Sequence, residues 1–146
     1  MALARCDDGG ATFGAPARVH RDGWAIDGRP HSGPAVTTDA GAAVHVAWAT
    51  GAPDRAGIWR AVSTDRGASF GEPSPLAVPS PLDQVRATTV GGQAVFAVED
   101  PRTTRVDGDQ ADLAAGPDGW RLVWHGPDGI RQTDAASFRL QASLHP

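Results

Sequence analysis

At 146 residues and 40% hydrophobic composition, the chain is long enough for one domain with a real core. Gly 18 and Pro 12 stand at nearly twice ordinary usage, which fits many short strands and turns rather than disorder. A net charge of −4 with scattered basic residues argues against nucleic acid. No run approaches the roughly 18 apolar residues of a membrane span, and a single cysteine excludes an intrachain disulfide or a metal site of several thiolates.

Residues 1–5 read as the end of a strand, and the opening is too short and too soon acidic for a signal peptide. Residues 6–13 form a polar octet. Residues 14–20 are expected to be an outer edge strand, where Pro16 is tolerated because an edge needs fewer ladder donors. An amphipathic run over residues 22–28 and a link over residues 29–34 follow. Alternation then predicts four strands at Ala35–Thr38, residues 43–48, residues 58–63 and residues 74–78, with a loop over 49–57. A second octet, residues 63–70, joins the last two. Pro79-Ser80-Pro81 marks a boundary.

Beyond it, residues 84–90 and Gln93–Val98 read as a hairpin turning on Gly91-Gly92. A weaker third strand is expected at 102–106, and residues 107–112 carry no octet. Residues 113–115 and 120–124 repeat the strand, turn, strand pattern around Pro117-Asp118-Gly119, with Trp124 answering Trp48. Gly129–Asp134 echoes residues 57–65 with residues deleted, and Asp134-Ala135-Ala136-Ser137-Phe138 is a shortened octet with Ala136 where the turn wants Gly. Residues 130–145 hold no Gly or Pro, so a short helix competes there.

The two octets organise this reading. Ser63, Asp65, Gly67, Ser69 and Phe70 are matched by Cys6, Asp8, Gly10, Thr12 and Phe13, with Cys6 in the place of Ser, and both copies continue Phe-Gly-x-Pro. Asp8 and Asp65 stand 57 residues apart (65 minus 8), a spacing near the upper end of repeat periods. An Asp side chain is expected to accept from backbone N–H groups two residues on, while Gly two positions later takes positive φ at no steric cost. Hydroxyls bond to the corner and the aromatic ring is expected to turn back under the sheet.

The octet resembles the Asp-box, or bacterial neuraminidase repeat, of sialidases and sialidase-like β-propellers. The resemblance extends to Gly33-Pro34-Ala35-Val36 and Val44-His45-Val46-Ala47-Trp48, and covers residues 1 to about 100 best. It implies an all-β fold: an incomplete propeller of about two and a half to three antiparallel four-stranded blades. Residues 1–28 would end a first blade, 29–80 form a complete one, 81–112 a degenerate third, and 113–146 begin another. It also implies that the box is structural, that the protein is exported or periplasmic, and that ligands bind on the face opposite the boxes.

On that face lie Arg29, His31 and Ser32 in the link, Asp54 and Arg55 in the loop of the complete unit, Glu99, Asp100 and Arg102 in the third, and His125 and Asp128 in the fourth. Carboxylates beside arginines suit an anionic or polyhydroxyl ligand. The alternative is that these are solvated turn residues. The tryptophans are expected to pack between sheets, with stacking on sugar as the alternative. Sialidases use a Tyr nucleophile, this chain has no Tyr, and Arg29-Pro30 is not the family's Arg-Ile-Pro. The resemblance therefore implies no catalytic residue, metal or cofactor here. It favours a segment that binds a glycan or protein, or scaffolds, and that self-associates or joins a missing chain to complete the ring. The alternative is a fragment of an exo-sialidase-like glycoside hydrolase whose Tyr and arginines lie elsewhere.

Overall fold

A computed structural model describes residues 1–25, 33–77, 85–98, 109–116, 119–126 and 129–134; beyond residue 98, Arg121 is the one residue whose side chain is described. Every regular element among them is a β-strand. In chain order these are β1 (Ala2–Leu3), β2 (Ala17–Arg18), β3 (Ala35–Thr38), β4 (Val44–Thr50), β5 (Gly57–Ser63), β6 (Ser74–Ala77), β7 (Val85–Val90), β8 (Gln93–Val98), β9 (Asp109–Gly116), β10 (Gly119–Gly126) and β11 (Gly129–Asp134). All pairings are antiparallel between chain neighbours: a β1-β2 ribbon, a four-stranded sheet β3-β4-β5-β6, a β7-β8 hairpin and a three-stranded sheet β9-β10-β11.

The four-stranded sheet is the centre, and its two faces follow from strand alternation. Val36, Val46, Trp48, Trp59 and Ala61 occupy one face, because Val36 pairs with Val46, Val46 with Ala61, and Trp48 with Trp59. Val46, Trp48 and Ala61 are buried with Val19, against Leu3, Val44, Trp59 and Phe70, so the β1-β2 ribbon covers this face. On the other face Ala47, Ala49 and Ile58 are buried with Val85 and Phe96 of the β7-β8 hairpin. Trp48 is thus a core residue, 2% exposed, as its strand position predicts.

Successive sheets also meet strand to strand. β3 runs beside β7, and β7 beside β9, so the leading strands of three successive sheets are neighbours. The first junction is hydrogen-bonded: Thr37 Oγ1 lies 2.8 Å from Thr89 Oγ1, and Ala40 N donates to Gly92 O at 2.7 Å. Gly91 and Gly92, at φ 55 and 80, supply the tight turn that this contact requires.

Several expectations shift. The strands expected over residues 1–5 and 14–20 shrink to Ala2–Leu3 and Ala17–Arg18, where Ala and Arg offer little apolar surface to hold a longer ladder. β9 begins at Asp109 rather than Leu113, and β10 spans Gly119–Gly126 rather than residues 120–124. Residues 130–134 are strand, not helix, because β11 pairs along β10 from Gly129 to Asp134. Residues 22–25 form no strand, and the third strand expected at 102–106 and residues 135–138 of the shortened octet lie outside the described residues.

Candidate functional site

The octets sit at one end of the strands, linking β1 to β2 and β5 to β6. They share their main hydrogen bonds. Asp65 Oδ1 accepts from Ser69 N at 2.8 Å and from Ser63 Oγ at 2.7 Å, and Asp65 Oδ2 accepts from Ser69 Oγ at 2.5 Å. Asp8 Oδ1 accepts from Thr12 N at 2.9 Å and from Cys6 Sγ at 2.8 Å, and Asp8 Oδ2 from Thr12 Oγ1 at 2.6 Å. Gly67 N donates to Ser63 Oγ and Gly10 N to Cys6 Sγ, both at 2.7 Å. Gly71 N bonds to Val62 O and Gly14 N to Arg5 O, closing each loop.

The expected acceptor pattern needs correction. Each Asp takes the N–H four residues on, not two, because Gly10 and Gly67, at φ 97 and 85, fold the chain back over the carboxylate. The aromatic ring also differs between copies. Phe70 packs against the Trp48 cluster, whereas Phe13 is 67% exposed, since no sheet among the described residues lies beneath it.

These bonds fix the carboxylates as anions. The Ser69 hydroxyl and amide, then Ser63, hold Asp65 well below the usual carboxylate range; Cys6, then Thr12, do so for Asp8. Neither is suited to acid–base work, as their turn positions predict. A carboxyl depressed in the folded chain stabilises it fully above the ordinary value of 3.8, and this contribution is lost as pH falls below that value and the folded carboxyl itself protonates. The thermal midpoint is therefore expected to fall steeply below about pH 4, and less steeply in Asp65→Asn, as a pH series of melting curves will read.

Cys6 Sγ makes the same two bonds as Ser63 Oγ, so the thiol works here as a hydroxyl substitute. Cys6→Ser is expected to leave the denaturation midpoint within about 0.5 kcal/mol of the parent. A groove of about 660 Å³ runs between the octets, lined by Leu3, Arg5, Phe13, Pro16, Gly67 and Ala68 among others. Arg5 is ion-paired to its neighbour Asp7 at 3.0 Å and reaches across to Arg66 O at 3.5 Å.

The opposite end carries the β4-β5 loop and the segment after β2. Arg55 lies in that loop with its guanidinium 5.4 Å from the Trp59 ring centre, and Trp59 Nε1 donates to Arg55 O at 2.7 Å. Arg55 Nη1 meets His20 Nε2 at 3.4 Å, and His20 stacks on Trp48 with ring centres 5.7 Å apart. Thr50, fully buried at the end of β4, donates to Asp22 Oδ2 at 2.6 Å, and Trp24 N donates to Asp22 Oδ1 at 3.1 Å. Burial opposes the charge on Asp22, but these bonds and the neighbouring His20 outweigh it and keep the carboxyl below its ordinary value. The Trp24 ring rests on Gly51 so closely that a Cβ there would stand 2.9 Å from it. A pocket of about 420 Å³ opens beside Arg18, His20, Arg21, Asp22 and Trp24.

Of the residues nominated from sequence, Asp54 and Arg55 lie in the expected loop and both are exposed. His125, expected in a loop, is a strand residue of β10 paired with Ile130, because that strand runs on to Gly126. Arg29, His31, Ser32, Glu99, Asp100, Arg102 and Asp128 lie outside the described residues. His20, Asp22 and Thr50 were not nominated. Asp22-Gly23 is a turn signal that could have placed the carboxylate, whereas nothing in the sequence marks Thr50 as its partner.

No group of three or more His, Cys, Asp or Glu among the described residues is placed to hold a metal ion. Nor is any helix among them long and apolar enough to cross a membrane. The end as built offers cationic and aromatic surface for binding, with Asp22 engaged and Asp54 exposed. No protein-family model, curated protein or solved structure matches the chain.

Proposed function

We propose that the chain is a segment of a sialidase-like β-propeller whose role is to bind or scaffold rather than to catalyse. Its ligand, a carbohydrate or a protein surface, is taken at the end opposite the octets. The observation that carries this reading is the succession β3, β7, β9: the leading strands of three consecutive antiparallel sheets lie side by side, as the inner strands of successive blades would around a channel. The shared carboxylate bonding of the two octets supports it, and the second stands between the third and fourth strands of its sheet, as the Asp-box does in a blade. Export follows from the resemblance to that family.

Self-association belongs to the same reading. On the Trp48 face the β1-β2 ribbon covers Val46 and Ala61 but leaves Val36 57% exposed, while β7 packs alongside β3. The end sheets of an incomplete ring would present unpaired strand edges, which recruit another chain, and light scattering is expected to find more than one copy at high concentration.

Function is tested by hydrolysis of a fluorogenic sialoside run beside a glycan-binding screen. Glycan binding without turnover is the expected result. Turnover by the chain would overturn the reading. Turnover by a longer form that contains the chain, with Tyr and arginines supplied from outside it, would instead identify a fragment of a glycoside hydrolase.

A further inference from the structure

At the loop end a guanidinium and an imidazole converge, and among the described residues no anion is bonded to either. The side chain of Arg55 touches Trp59 and His20, and among the described residues no carboxylate bonds to it. As built, Arg55 Nη1 donates to His20 Nε2, which requires the neutral imidazole as acceptor. Both planes are held from below, the guanidinium by Trp59 and the imidazole by Trp48. One carboxylate on this rim, Asp22, has both oxygens engaged by Thr50 and Trp24. Trp48 Nε1, in the ring that carries His20, is buried without a partner.

We propose that Arg55 and His20 form a binding site for a compact oxyanion, the phosphate, sulfate or carboxylate group of a small ligand. An oxyanion accepts from the guanidinium edge and from the imidazole together, replacing a weak 3.4 Å contact by two charge-assisted bonds. The charged groups around His20 are Arg55, the Arg18 and Arg21 that line the same pocket, Asp22, and the Met1 amino group on its carbonyl oxygen. Asp54, exposed beside Arg55 in the same loop, opposes an anion, but the four cationic groups outnumber it and the engaged Asp22, so the local field favours an anion. The site stands on these contacts alone, and failure of the ring reading leaves it intact.

The test is titration of the full chain with inorganic phosphate, sulfate and acetate at constant ionic strength in a cationic buffer, following the His20 imidazole resonances. Saturable binding is expected; sulfate, whose charge is constant near neutral pH, isolates the contribution of the protein from the titration of phosphate itself. Arg55→Gln should weaken binding about tenfold or more, Arg55→Lys less, and His20→Gln should weaken sulfate binding as well. Tighter phosphate and sulfate binding assigns a phosphate or sulfate ester; tighter acetate binding assigns a carboxylate. A response that never saturates, or one unchanged in an Arg55→Gln protein with parental melting behaviour, overturns the proposal.

Discussion

Trp48→Ala is expected to destabilise the fold by about 3 to 5 kcal/mol, the range for removing a buried aromatic side chain. The residue is 2% exposed and packs with Val19, Val46 and Ala61 under the β1-β2 ribbon. That ribbon has only two residue pairs of ladder, Ala2 with Arg18 and Leu3 with Ala17, so its attachment rests on side-chain burial more than on backbone bonds. The loss should therefore be uneven. Hydrogen exchange is expected to show amides of the β1-β2 ribbon and the first octet losing protection first. The face built from Ala47, Ile58, Val85 and Phe96 should hold until global unfolding. Equal loss on both faces would mean that the two clusters are one cooperative core.

The central sheet was legible because three signals agreed there. Apolar alternation placed β4 and β5, the octet placed the turn to β6, and Gly91-Gly92 placed the next hairpin. The β1-β2 ribbon was overextended because its strands gain their place from Trp48 and Val46 across the sheet gap, a tertiary contact with no local trace. The two phenylalanines make the same point. Phe13 and Phe70 occupy equivalent places in equivalent turns, yet only Phe70 has a cluster to enter. Local sequence dictates the corner; what lies beneath it decides whether the ring is buried.

The loop end was legible in part for a related reason. Arg55 could be placed because a loop between two strong strands has few places to go, but its contacts could not. His20 resembled the end of an edge strand, and its stacking on Trp48 depends on how the ribbon crosses the sheet. Thr50 was assigned to the loop, although β4 continues through it and buries its hydroxyl against Asp22. Two segments distant in sequence, one with His20 and Asp22 and the other with Thr50 and Arg55, thus form one rim, and no motif spacing could have assembled them.

Ser63→Ala carries the second large effect, about 1 to 3 kcal/mol, the cost of leaving a buried donor unpaired. Ser63 is 1% exposed; its hydroxyl accepts from Gly67 N and donates to Asp65 Oδ1, both at 2.7 Å. Removing it strands the Gly67 amide at a turn whose positive φ leaves that N–H no other acceptor within the octet. Asp65 would also lose one of the donors that hold its carboxyl low, so its titration should move back toward the ordinary value. Ser63→Cys separates chemistry from volume, because Cys6 already performs this role in the first octet. Denaturant unfolding should place Ser63→Cys close to the parent and Ser63→Ala well below it. Were the two variants equally destabilised, the buried site would be reading size, and the corner would be held by the Asp65 to Ser69 bonds alone.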